Sequence, residues 1–180
     1  MKSIQPWLVL TVLLGMLSGC SNDDRMSQKE VEYLSHMDQA HFFQEQGELK
    51  ASTQEARNAI DLQPDQLEPY FLVINNLITA GDGGTAERQL DELAKRVDAD
   101  DPEHQAQANR LAIARARARL IRDDWSGAIE ALASLEAPEK SQKVTAERLR
   151  GDAHRGAGNP EAARKAYERV LAEDNGAVMA

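Results

Sequence analysis

The feature that most constrains this chain is an internal period. Gly47 in "QGELKAS" and Gly81 in "AGDGGTA" stand 34 residues apart, and each is followed by an acid. Ser52 and Ala86 keep that spacing, as do Ala56 and Leu90, and Ala59 and Leu93. Asp123 in "RDDWSGA" and Gly158 in "AGNPEAA" continue the series at steps of 42 and 35, so the longer step carries extra residues around "DADDPEHQ". A period of this size marks supersecondary units that cannot bury an apolar face alone and must stack on one another.

Each unit reads as two helices around a tight turn. In the fourth, Gly151 is a small residue in the first helix, Gly158 marks the turn, Ala163 sits where the helices touch and Tyr167 follows it. Ala40, Phe43, Gly47 and Ala59 hold comparable places in the first unit, with Pro64 ending its second helix. Tyr70, Gly81, Ala86 and Leu90 do so in the second, and Trp125, Ala128 and Leu132 in the third, where Asp123 replaces the glycine. This pattern resembles the tetratricopeptide repeat (TPR) family over residues 33–175. The resemblance implies an all-α, right-handed superhelix of about four hairpins, at 33–66, 67–100, 102–140 and 144–177. Residues 176–180 follow "DNG", read as a turn, and form a tail or the start of an uncompleted helix. An uncapped last repeat would expose Leu171 and favour self-association. The competing reading, an ordinary bundle with chance spacing, must explain four units in register.

Local chemistry agrees with hairpins. Asn159 and Pro160 suit an N-cap and the first helical position, where proline's missing donor costs nothing. Asp101 and Pro102 offer the same roles, and Asp65 with Glu68 suggests a capping box ahead of Tyr70. Aromatics make up 4% of the chain, and period-two runs of Val, Ile and Thr are absent. Alanine at the crossings lets helices approach closely. The expected fold class is therefore all-α.

The family's binding face is lined by the first helix of each hairpin. Carried over position by position, that face comprises Leu34, Met37, His41 and Gln44; Phe71, Asn75 and Ile78; Arg110, Ile113 and Arg117; and Arg148, Asp152 and Arg155. Met37, His41, Phe71, Asn75, Arg110, Arg117, Arg148 and Arg155 are the candidate partner-binding residues. In "RLAIARARARLIR" (110–122) a helix sets Arg110 and Arg117 beside Ile113 and Leu120, and Arg115, Arg119 and Arg122 on another face. Arginines in a groove suit forked hydrogen bonds to a partner's carboxylates. The alternative is a solvated face pairing with Asp123, Asp124 and Glu130. Some family members clamp a C-terminal carboxylate. Asn75 and Arg117 match parts of that clamp, but Met37 and Ile113 stand where lysines are needed, so the clamp is not expected.

The leader "MKSIQPWLVLTVLLGMLSGC" opens with one lysine. Its apolar stretch, Trp7 to Leu17, is shorter than the roughly 20 residues of a bilayer span and fits a secretory signal. "LSGC" resembles the bacterial lipobox, which implies a signal peptide at 1–19, lipidation of Cys20 (the only cysteine) and a polar tether over 20–32. Several acyl chains hold a protein to a membrane where one does not. Ser21, in place of the aspartate of the enteric retention rule, points to the inner leaflet of the outer membrane, facing the periplasm. A plain signal peptide followed by a free thiol, or an uncleaved anchor, is the alternative.

The net charge of −9, about −10 without Lys2, repels nucleic acid and anionic lipid, so no nucleic-acid partner is expected. His36, His41, His104 and His154 lack zinc-ligand spacing. "GDGG" (81–84) lacks the lysine and hydroxyl of a phosphate loop, "DADDPE" lacks a calcium-loop pattern, and no serine has a nucleophile's context. No catalytic residue, metal or cofactor is expected. The sequence therefore reads as a membrane-anchored periplasmic adaptor binding a protein or peptide, of the pilus-secretin or exopolysaccharide-export type. The alternatives are a regulator docking a cell-wall enzyme, or a fragment of a longer repeat protein.

Overall fold

The computed structural model describes residues 26–97 and 104–175. The leader, Cys20 and the residues up to 25, the acidic segment 98–103 with Asp101 and Pro102, and the tail 176–180 lie outside the described residues. Those described form eight helices and no strand: α1 (Gln28–Glu45), α2 (Leu49–Leu62), α3 (Glu68–Thr79), α4 (Gly83–Ala94), α5 (Gln105–Ile121), α6 (Trp125–Ala133), α7 (Lys140–Gly156) and α8 (Pro160–Asn175). The protein is all-α there, as the composition implied.

The helices pair as α1/α2, α3/α4, α5/α6 and α7/α8, and one turn geometry joins every pair. Gly47, Gly81 and Gly158 have φ of 76°, 81° and 75°, and Asp123 takes the same left-handed conformation at 57°. At each turn this residue donates its N–H to the carbonyl three residues back, and the next residue donates to the carbonyl five back. Gly47 N–H reaches Gln44 O and Glu48 N–H reaches Phe43 O; Asp123 N–H reaches Leu120 O and Asp124 N–H reaches Arg119 O. The same bonds recur at Gly81–Asp82 and Gly158–Asn159. This Schellman arrangement satisfies the last carbonyls of the first helix. The residue after the turn then starts the second helix: the Asp82 and Asp124 carboxylates accept from the N–H groups of Thr85 and Gly127.

Packing runs strictly along the chain. Each helix packs on its sequence neighbours, and the first helices also touch in series, α1 to α3, α3 to α5 and α5 to α7. Among the described residues no two second helices touch. The first helices therefore form one continuous face. Three apolar clusters lie between successive elements: Met37, Ala40, Ala56, Ala59, Leu72 and Val73; then Phe71, Ile74, Leu90 and Leu93 with α5; then Ala116, Ala128, Leu132, Leu149 and Ala153. Each takes side chains from a hairpin and from the next first helix, so no hairpin closes a core of its own. Close approach depends on small residues. Gly151 lies under the Tyr167 ring, and Gly83 lies against the Ala118 carbonyl.

Several sequence expectations are corrected. α1 begins at Gln28, inside the stretch expected to be tether, because Ser27 Oγ caps it by accepting from Glu30 N–H at 3.2 Å. The capping box at Asp65 and Glu68 does not form. α3 starts after Leu67 without a side-chain cap, with Pro69 in its first turn, and Glu68 is drawn to Arg110 instead. α5 starts at Gln105 with His104 before it; the expected cap at Asp101 and Pro102 lies outside the described residues. α8 continues through Asn175, where a turn was expected.

Candidate partner-binding face

The first-helix face is built from rungs of equivalent positions, offset by the 34-, 42- and 35-residue steps of the turns. One rung is Leu34, Glu68 and Arg110. Another is Met37, Phe71, Ile113 and Arg148. A third is His41, Asn75, Arg117 and Asp152. Two of these rungs are closed by direct bonds between neighbouring helices. Arg110 forks onto Glu68, with Nη1 donating to Oε2 at 2.8 Å and Nη2 to Oε1 at 3.2 Å. Arg117 Nη1 donates to Asn75 Oδ1 at 2.9 Å.

The candidate residues divide accordingly. Met37 is 7% exposed and belongs to the first core cluster, because the same helical face that carries Ala40 turns it onto α2. Phe71 is 2% exposed, capped by the Arg110 guanidinium 4.0 Å above its ring centre. Neither offers its side chain to a partner, which corrects both assignments. Arg110 is occupied twice, by Glu68 and by Phe71. Arg155 Nη2 donates to Asp152 at 3.2 Å, and the Tyr167 hydroxyl donates to the same oxygen at 2.8 Å. His41 is exposed and Asn75 half-buried.

That leaves Arg117 and Arg148 as the unneutralised charges of the face. Arg117 has only the Asn75 amide as acceptor, and among the described residues no carboxylate pairs with it or with Arg148. Burial pushes the Arg117 guanidinium below its ordinary pKa, and the positive charge of Arg148 adds to that shift. These two like charges stand on neighbouring first helices, α5 and α7, in a chain of net charge −9, and guanidinium groups left unpaired in this way have the chemistry to take a carboxylate.

The other α5 arginines serve the fold. Arg115 pairs with Asp91 at 2.7 Å, Arg119 with Glu87 at 2.9 Å, and Arg122 with Glu87 as well. Their main partners are acids of the preceding helix, α4. Asp124 and Glu130 stand 3.9 and 3.8 Å from Arg119, at the edge of ion-pair range, and Asp123 takes no part.

Two polar clusters had no signal in the sequence. Asn76 is buried and donates to Ser52 Oγ at 2.8 Å and Thr53 Oγ1 at 3.2 Å, while its Oδ1 accepts from Gln44 Nε2 at 2.9 Å. It joins the first two hairpins. Asn109 bonds both backbone groups of Glu136 it can reach, its Nδ2 donating to the carbonyl at 2.9 Å and its Oδ1 accepting from the N–H at 3.1 Å. It fixes the link between the third and fourth hairpins.

In comparisons with known proteins, no family model matches this chain and no curated protein matches it. The repeat therefore rests on the chain's own register. Among the described residues no helix is long and apolar enough to cross a membrane, and no group of three His, Cys, Asp or Glu side chains is placed to hold a metal ion.

Proposed function

We propose that this chain is a periplasmic scaffold of the TPR type, a right-handed superhelix lipidated at Cys20, whose first-helix face holds an acidic segment of a protein partner in envelope assembly or secretion. The observation that carries the reading is the Arg117–Arg148 pair: two guanidinium groups on adjacent first helices, left without a carboxylate while the surrounding arginines are all paired. Four occurrences of one turn, with first helices in unbroken contact, support a repeat scaffold that presents an extended face rather than a closed cavity. The anchor is supported by the leader and "LSGC" alone. The eight residues from Cys20 to Gln28 span at most about 29 Å, so an acylated Cys20 would hold α1 close to the bilayer.

Photo-crosslinkers placed at His41, at Leu34 and at Arg57 on the exposed side of α2 test this in intact cells. The first two should capture the same protein, through an acidic stretch, and Arg57 should not. Capture of a specific partner from Arg57 alone refutes the assignment of the face. Separately, Cys20→Ala should accumulate as an unprocessed precursor that takes up no labelled fatty acid; normal maturation refutes the anchor.

A further inference from the structure

One helical turn beyond the arginine pair, toward the hairpin turns, the face opens into a notch of about 390 Å³ lined by Leu120, Ile121, Trp125, Asp152, Arg155 and Gly156. Its wall is the Trp125 ring laid against Gly156, where an added Cβ would stand 2.6 Å from the indole Cδ2. Ile121 at its rim is 39% exposed, one of few large aliphatic side chains left so open. The polar groups at its edge, Asp152 and Arg155, already satisfy each other, so the free surface of the notch is apolar and aromatic.

The notch and the arginines share helices. Arg117 precedes Leu120 and Ile121 on α5, and Arg148 precedes Asp152 on α7. One turn of helix separates them, a rise of about 5 Å. In an extended peptide, side chains two residues apart face the same way about 7 Å apart. We infer that the face reads a two-part motif, an acidic residue on Arg117 and Arg148 and a bulky apolar residue two positions away in the Trp125 notch. The inference rests on the scaffold reading above and names the chemistry of the partner segment. The positive pair selects a carboxylate, and an apolar pocket beside it supplies burial that a charge contact alone lacks.

The test is selection of random octapeptides by display on the Trp7→Phe chain, in which Trp125 is the remaining tryptophan. Recovered peptides should carry Asp or Glu with Leu, Ile, Met or Phe two positions away, and binding should shift Trp125 emission. Replacing that apolar residue with glycine in the peptide should weaken binding by at least about tenfold and abolish the shift. Ile121→Glu, at an exposed position, should lower affinity for the parent peptide while the dependence on the acid remains. Acidic peptides with no apolar preference, leaving Trp125 emission unchanged, overturn the notch but not the scaffold reading. Peptides indifferent to Arg148→Glu overturn both, as does the recovery of no binder.

Discussion

Asn76→Ala is the sharpest probe of how the hairpins are joined. The side chain is 2% exposed and makes three hydrogen bonds, to Ser52, Thr53 and Gln44. Each is worth about 1 kcal/mol net, and leaving the fully buried Ser52 hydroxyl without its donor adds a desolvation cost of similar size. Rotation of that hydroxyl toward the carbonyl of the preceding turn recovers part of this. The expected loss is about 3 kcal/mol. In urea unfolding followed by helical circular dichroism, with a slope of about 2 kcal/mol per molar, the midpoint should fall by about 1.5 M. The neighbouring Asn75→Ala is the control. It removes one bond, to the half-exposed Arg117, and should lower the midpoint by no more than about 0.5 M. Because the bonds of Asn76 cross from the first hairpin to the second, its loss should also broaden the transition as the units uncouple. Equal shifts for the two variants, or a shift below about 0.5 M for Asn76→Ala, would refute the claim that this residue couples the hairpins.

Other expectations concern the turns and the buried charges. Asp123→Gly should stabilise the chain by up to about 1 kcal/mol, because it relieves a left-handed aspartate and gives back part of that gain as unfolded-state entropy. Gly81→Ala should cost about 1 kcal/mol from backbone conformation alone, since an added Cβ there meets no atom within 4 Å. Glu147 is buried and holds both Arg150 and Arg169. Glu147→Ala should destabilise by about 2–3 kcal/mol in the same assay, below the full value for a buried pair because Arg169 keeps its water. The Thr85 backbone N–H, then its hydroxyl, holds the Asp82 carboxyl below its usual pKa. Its cap is therefore fully present above the ordinary carboxylate range and lost as pH falls through the depressed value. Asp82→Asn keeps an acceptor but cannot titrate, so urea midpoints between pH 5 and pH 2, roughly the span of a lowered carboxylate, should fall less steeply in that variant.

The turns were legible because a left-handed position leaves glycine almost without competitors, and even the exception at Asp123 kept its register. The start of α1 was missed: the polarity of "SQKE" (27–30) makes it read as tether, although it has the spacing of a capping box and Ser27 caps the helix. The candidate face was harder. Helical periodicity puts Met37 and Phe71 on the first-helix side, but whether such a residue meets solvent depends on what the adjacent helix lays over it. At Phe71 that is Arg110, 39 residues further along the chain. The partners of Arg115, Arg119 and Arg122 were sought among acids nearby in sequence, whereas stacking delivers Asp91 and Glu87 from the preceding helix. Asn75 and Asn76 are the same residue type one position apart. The 100° between them on a helix separates a groove side chain from a buried clasp, and only packing reveals which is which.

The arginine pair is the centre of the proposed partner site, and Arg148→Glu tests it directly. The substitution gives Arg117 an internal carboxylate, so the fold should keep its stability or gain a little while the acidic partner loses its site. Measured by titration of the crosslinked partner against the purified chain, affinity should fall by about tenfold or more at physiological salt and lose much of its salt dependence. An unchanged affinity in a folded Arg148→Glu chain would contradict the account.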